Sequence, residues 1–326
     1  MKDPIIQLKG LTKQYGGVKA VDGLNLNINK GEIFGLLGPN GAGKTTTILM
    51  MLGLTDPTSG TAFVCGHNAT SNPIPVKKKV GYMPDSVGFY DHMTALENLV
   101  YIGRLNSVPE KELKKRSTEV LEIVGLSADQ HKKTSAFSRG MKQRLGLADV
   151  LIKNPEVIIL DEPTLGIDPT GVRDFLALIK QLSRQHGLTV LLSSHHLHHV
   201  QQVCDRVGIF VNGRLLAQGD ISALSAQLFG TNSHITSIKL PQLVPQPWPL
   251  ESELQAWETV NKITISENEL EFTGSRDITA KLVRFLVEKG YDVISVNQKY
   301  YGLDDIYQKY FESNSTKDIS YEKSIS

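Results

Sequence analysis

The chain has 326 residues, enough for about two domains. Hydrophobic residues make up 40% and charged residues 21%, a balance that buries a core and excludes a disordered polar chain. Lysine and arginine number 35 against 34 acidic residues; the net charge of +1 gives no general pull toward nucleic acid or anionic lipid, and no nucleic-acid partner is expected. In chain order, Ile5 to Leu11 alternates as a strand and Tyr15-Gly16-Gly17 turns the chain. Leu24, Leu26 and Ile28 alternate with Asn25, Asn27 and Asn29, a half-exposed antiparallel strand ending at Lys30-Gly31. Ile33 to Leu37 is instead a continuous apolar run, as in strands covered on both faces of a parallel sheet. Thr46 to Leu52 reads as a helix, Thr61 to Cys65 as a short strand, and Val80 to Met83 as a strand stopped by Pro84.

From Thr94 to Gly125 the pattern turns helical, with Leu96, Leu99, Val100 and Ile102 at helical spacing and a second amphipathic helix over Glu110–Val124. Ser138–Ile152 is a third helix, with Met141, Leu145, Ala148 and Leu151 on one face, and Val157–Leu160 a buried strand. Helix Pro169–His186, strand Leu188–Leu192, helix His195–Val203 and a hairpin around Asn212-Gly213 follow. Prolines 241, 245, 247 and 249 mark a linker or irregular excursion, after which strands Lys262–Ser266, Leu270–Thr273 and Asp292–Asn297 and helices Ile278–Glu288 and Leu303–Phe311 are expected. Cys65 and Cys204 have no metal-type spacing and read as bland thiols of a reducing compartment. The N-terminus lacks a signal-peptide core, and no apolar run approaches the ~18 residues of a membrane helix. The chain reads as soluble, with any membrane role coming through a partner.

Gly38-Pro39-Asn40-Gly41-Ala42-Gly43-Lys44-Thr45-Thr46 lies between an apolar strand and a helix, the context required of the pattern G-x-x-x-x-G-K-S/T. Its glycines let backbone N–H groups surround an anion, and the helix N-terminus adds about half a positive charge. In that pattern Lys44 reaches the β- and γ-phosphates and Thr45 gives its hydroxyl to Mg²⁺. Asp161 and Glu162 close an apolar strand, at the sheet edge where α/β proteins bind ligands. With a phosphate loop upstream, Asp161 is expected to hold Mg²⁺ through water, and Glu162 to orient or deprotonate the attacking water. Ser138-Arg139-Gly140 opens a helix and makes a second anion-binding N-terminus, which hints at a site assembled from two chains. His195 follows the strand Thr189–Leu192 and shares the edge of Asp161 if the strands are parallel. The crowding of His195, His196, His198 and His199 on one helix permits zinc in principle; an imidazole near the γ-phosphate is the sharper use for one of them.

Together these motifs resemble the nucleotide-binding subunits of ABC transporters over residues 4 to 230. Gly38–Thr46 matches their Walker A motif, and Ile158–Thr164 their Walker B. Phe137-Ser138-Arg139-Gly140-Met141 resembles the signature LSGGQ, with Arg139 and Met141 departing from it. Gly166-Ile167-Asp168 fits the D-loop and Ser193-Ser194-His195 the switch histidine. The fold expected is α/β: a P-loop core with an antiparallel β edge subdomain and a helical insertion at about 86–152, all within residues 1–230. A small C-terminal α+β accessory domain would span 231–312, and a disordered tail 313–326. The resemblance implies ATP and Mg²⁺ as cofactors, with ATP held between one chain's Gly38–Thr46 and the Ser138-Arg139-Gly140 of a second copy or a homologous subunit, packed head to tail. It also implies Tyr15 against adenine, Lys44, Glu162 and His195 as the catalytic set, Thr45, Asp85 and Asp161 around Mg²⁺, and His195 as the γ-phosphate sensor. The stretch from Phe89 to Leu151 would touch an integral membrane permease, holding the protein on the cytoplasmic face of the cell membrane.

One departure bears on chemistry. The family's loop glutamine aligns with Asp85, whose carboxylate can still bind Mg²⁺ or water but adds negative charge beside the triphosphate. Asp85–Tyr90 and Gly302–Tyr307 look like the exporter branch that pairs such a subunit with a six-helix permease. Within that branch, short stretches are similar to the ATPases of copper-site maturation in nitrous oxide reductase. The reading is therefore the ATP-hydrolysing subunit of an ABC exporter. The alternatives are a soluble ABC protein of ribosomes or DNA, which a single cassette without heptad helices disfavours, and a binding-only regulatory subunit, which Asp85 alone favours.

Overall fold

The computed structural model describes residues 4–229, 234–299 and 302–310. The chain divides into two compact units, Met1–Gly219 and Asp220–Ser326. The domain boundary expected at residue 230 and the tail expected at 313–326 both lie outside the described residues, as does the end of the last expected helix, Phe311.

In the first unit, β1 (Pro4–Tyr15) and β2 (Val18–Asn29) form an antiparallel pair in which Leu24, Leu26 and Ile28 are buried while Asn25 and Asn27 face water. Next come β3 (Ile33–Leu37), α1 (Lys44–Met51), β4 (Ser59–Val64), β5 (His67–Asn68), α2 (Pro73–Lys79) and β6 (Val80–Met83). The edge sheet has the order β2-β1-β4-β5. The helical insertion holds α3 (Ala95–Leu105), α4 (Glu110–Ile123) and α5 (Arg139–Leu151). A capping box starts α3: the Thr94 hydroxyl accepts from the Glu97 amide and the Glu97 carboxylate accepts from the Thr94 amide. The chain then runs through β7 (Val157–Asp161), α6 (Pro169–His186), β8 (Thr189–Ser194), α7 (Leu197–Val203), β9 (Arg206–Val211) and β10 (Arg214–Gly219).

The core sheet has the order β10-β9-β3-β8-β7-β6, parallel throughout except for β10. Every residue of β3, β7 and β8 is buried, so these strands are covered on both faces and their apolar runs need not alternate. Parallel register brings the ends of β3, β7 and β8 to one edge, with Leu37 opposite Ser194 and Asp161 opposite Ser193. One core, including Ile6, Leu24, Phe34, Ile48, Val157 and Phe210, fills the space between the edge sheet and the core sheet.

The second unit begins with α8 (Ile221–Phe229) and continues as β11 (His234–Lys239), α9 (Glu251–Gln255), β12 (Val260–Ser266), β13 (Glu269–Gly274), α10 (Thr279–Glu288) and β14 (Ser295–Lys299), with a further helix at 303–310. Its antiparallel sheet has the order β12-β13-β11-β14, the topology of a split β-α-β-β-α-β unit. The proline-rich segment 241–250 is not a linker. Val244 and the largely buried Trp248 pack with Phe272, Leu282 and Leu286 in this unit's core, and the Trp248 indole donates to the Tyr291 hydroxyl at 3.2 Å. The last strand starts at Ser295 rather than Asp292.

Candidate functional site

The phosphate loop is built on backbone that only glycine satisfies. Gly43 has φ 104, and a Cβ there would lie 2.2 Å from the Ala20 carbonyl oxygen; a Cβ on Gly38 would lie 2.1 Å from that of Phe210. The far hairpin supports the loop: the Gly213 amide donates to the Ala42 carbonyl at 2.9 Å. Residues 40–46 then line a cavity of about 240 Å³, closed by Ala20, Asp85, Asp161 and Glu162.

Lys44, the first residue of α1, is buried and donates from Nζ to the carbonyls of Gly38 (2.7 Å) and Pro39 (3.1 Å). Its ammonium stands 3.7 Å from Glu162 Oε1. Burial pushes the Lys44 pKa down, and the carboxylates of Glu162 and Asp161 oppose that shift.

Asp161 ends β7, with Oδ2 accepting from the Thr45 hydroxyl at 2.8 Å. Its Oδ1 is buried and has no hydrogen-bond partner. Burial pushes the carboxyl up, the hydroxyls of Thr45 and the neighbouring Ser193 oppose, and the nearby Glu162 and Asp85 carboxylates add to the rise. An orphaned carboxylate oxygen is costly, and Asp161 lines the cavity together with Thr45, Asp85 and Glu162. The Asp161 carboxylate and the Thr45 hydroxyl are a pair of hard oxygen donors, the kind a divalent cation takes when other oxygens complete its shell.

Glu162 takes the left-handed backbone conformation, φ 48, uncommon outside glycine. Its Oε1 lies 2.8 Å from His195 Nδ1, and its Oε2 accepts from the Ser194 hydroxyl at 3.4 Å. The parallel register therefore brings Lys44, Thr45, Asp161, Glu162 and His195 to one edge, as expected from their strand positions. His195 and His196 precede α7 rather than lying on it. No group of three or more His, Cys, Asp or Glu among the described residues is arranged to hold a metal, so the zinc possibility gains no site.

The other expected residues stand apart. Ser138 caps α5 through the Met141 amide, Arg139 Nε donates to the Leu165 carbonyl at 2.8 Å, and Gly140 packs near Ile167. Arg139 lines a second cavity, of about 290 Å³, together with Asp85–Val87. Tyr15 is 50% exposed, with the Lys13 ammonium 4.9 Å above its ring, and does not line the phosphate cavity. Sequence reasoning missed Ala20, which lines that cavity, and the bond between the Thr164 hydroxyl and His199 Nδ1, 3.2 Å. Burial and the neighbouring histidines push the His199 pKa down.

The family profile described as ABC transporter matches residues 21–165. An uncharacterised ABC transporter ATP-binding protein of Bacillus subtilis, YcbN, is 37% identical over 95% of this chain and 98% of its own length. The chain belongs to the ABC transporter ATP-binding family. Another ABC relative, the bacitracin transport ATP-binding protein BcrA of Bacillus licheniformis, is 45% identical over 66% of this chain and 69% of that protein. A dimeric ATP-binding cassette, MJ0796, solved in a post-hydrolysis state with ADP and Pi, matches with a TM-score of 0.60 and 26% identity over 66% of this chain and 98% of that one. As an ABC transporter ATP-binding subunit, the protein binds and hydrolyses ATP to power a separate permease, and subunits of this kind dimerise. Among the described residues no helix is long and apolar enough to cross a membrane.

Proposed function

We propose that the chain drives export through a separate membrane permease, hydrolysing ATP at Glu162 inside a head-to-tail pair of two copies. The observation that carries this reading is the convergence of Lys44, the Thr45–Asp161 pair and the Glu162–His195 pair on one sheet edge beside the phosphate loop. ATP phosphates would occupy the cavity of residues 40–46, with Lys44 against the β- and γ-phosphates and Tyr15 against the base. Thr45, Asp161 and Asp85 would hold Mg²⁺, which neutralises phosphate charge and fixes the phosphate oxygens when bound. Glu162 accepts a proton from the attacking water as oxygen bonds to the γ-phosphorus and the bond to the leaving ADP breaks. His195, bonded to Glu162 Oε1, orients that carboxylate and senses the γ-phosphate.

The partner copy's Ser138-Arg139-Gly140 would complete the site, with the α5 N-terminus turned toward the nucleotide. Asp85 lines both the phosphate cavity and the cavity beside Arg139, which supports the segment from Asp85 to Arg104 as the relay to the permease. Tyr90 and Leu105, exposed at 48% and 69%, offer apolar area around that stretch. BcrA is named for bacitracin transport and LnrL of Bacillus subtilis, 41% identical over 69% of this chain and 72% of its own length, for linearmycin resistance; with the exporter-like segment Asp85–Tyr90, resistance supports export as the direction, and the cargo is left to the permease. Glu162→Gln should keep ATP affinity, trap a dimer on size exclusion with ATP, and abolish turnover; undiminished hydrolysis in this variant would remove Glu162 from the role of base.

A further inference from the structure

The loop that carries Glu162 is gripped at two points by histidines of one segment. At the first, Glu162 Oε1 lies 2.8 Å from His195 Nδ1. At the second, the hydroxyl of Thr164, a side chain only 4% exposed, lies 3.2 Å from His199 Nδ1. His196 stands between, its ring centroid 4.0 Å from that of His195 and 5.1 Å from that of His199. The backbone held this way is strained, since Glu162 sits at φ 48 without being glycine. The bonds within the loop lie at the far end of the ordinary range, 3.2 Å from the Leu165 amide to the Glu162 carbonyl and 3.3 Å from the Ile167 amide to the Thr164 carbonyl. The Glu162 amide is fixed to the Ser193 carbonyl at 2.9 Å, and beyond that point the turn is held by side chains: the two histidine contacts and the bond from Arg139 to the Leu165 carbonyl.

We propose that His199, acting through the Thr164 hydroxyl, is a positioning residue for ATP hydrolysis: the pair fixes the turn that aims Glu162 at the attacking water. The inference rests on the reading of Glu162 given above. Releasing the second anchor lets the turn relax toward unstrained backbone while leaving Lys44, the phosphate loop and Asp161 in place. Nucleotide binding is then untouched and the chemical step slows, because a displacement of about 1 Å at a reacting group costs up to about a hundredfold in rate.

The test uses the full chain and steady-state ATP hydrolysis. Thr164→Val and His199→Leu should each lower kcat about tenfold with KM for ATP unchanged, the split of an effect confined to the transition state. Thr164→Ser and His199→Asn, which keep a hydrogen-bonding partner, should recover most of the rate. The double variant Thr164→Val/His199→Leu should be no slower than the slower single one, since both remove one bond. Unchanged kcat in Thr164→Val, an equal loss through KM, or multiplying effects in the double variant would overturn the proposal. If His199→Leu fails to fold, the comparison of Thr164→Val with Thr164→Ser decides alone. Glu162→Gln separates the two readings. Full-rate hydrolysis there sinks the role of Glu162 itself, whereas a dead Glu162→Gln beside a normal Thr164→Val sinks only the positioning pair.

Discussion

At the scale of single residues, charge and burial compete at Lys44. Its ammonium is buried, yet two carbonyls and a carboxylate surround it, so the charge is already solvated by protein before any phosphate arrives. Lys44→Ala should weaken ATP binding about 10- to 100-fold by calorimetry, the weight of one charge-assisted hydrogen bond at about 1.5–3 kcal/mol; full-strength binding would contradict the phosphate-loop assignment. Asp149, on α5, lies away from that chemistry, and its carboxyl is pushed up to about 6 by burial, with the Lys153 ammonium opposing. Its folded pKa exceeds the ordinary value of 3.8, so its favourable contribution is complete below that value and is lost as pH rises through about 6. At about pH 8 the ionised carboxylate then costs on the order of 3 kcal/mol. Asp149→Asn should raise the melting temperature at that pH, with the gain shrinking toward about pH 4. Melting curves equally displaced at both ends would refute this account.

At the scale of elements, the sequence was most readable where one physical requirement dominated. The runs of β3 and β7 are wholly apolar up to Asp161 because both sheet faces are covered, and Asn212-Gly213 takes φ 48 and 77 as its hairpin turn demands. The phosphate loop was readable for the same reason, since only glycine fits at Gly38 and Gly43. β11 was not readable. Its buried Thr236 and Ser237 look like surface residues in a string of letters, but Thr236 bonds the Thr279 hydroxyl and Ser237 bonds Glu269. Segment 241–250 misled for the opposite reason: its prolines signal a loop correctly, but not that Trp248 anchors it in a core. The pairs Glu162–His195 and Thr164–His199 depend on strand register and helix placement, which spacing alone does not fix. The capping box of α3 is a local device, and Thr94→Ala should cost about 1 kcal/mol in urea unfolding while leaving ATP affinity intact. A loss of ATP binding there would mean that α3 reaches the phosphate cavity after all.

At the scale of the whole molecule, the core that joins the edge sheet to the core sheet draws, among the described residues, on Ile5 to Leu215. Among the described residues the phosphate cavity is likewise lined from Ala20 to Glu162, before Gly219. A chain ended after Gly219 should therefore melt cooperatively and keep its ATP affinity; a broad, non-cooperative melt would show that the second unit is needed for folding of the first.

The support of the phosphate loop by the Gly213 hairpin has a consequence for synthesis on the ribosome. β3 sits in mid-sheet and takes both its partners from far downstream: Ile33 pairs with Val190 and Phe34 with Arg206. The Ala42 carbonyl finds its donor only at Gly213. An emerging chain thus displays Gly38–Thr46 before both sheet neighbours of β3 and the Gly213 amide have left the exit tunnel. Until then its apolar β3 run is an unpaired strand. Ribosome-bound chains should therefore gain ATP binding late, once β9 and β10 have emerged; strong binding by chains stopped before Arg206 would refute this order.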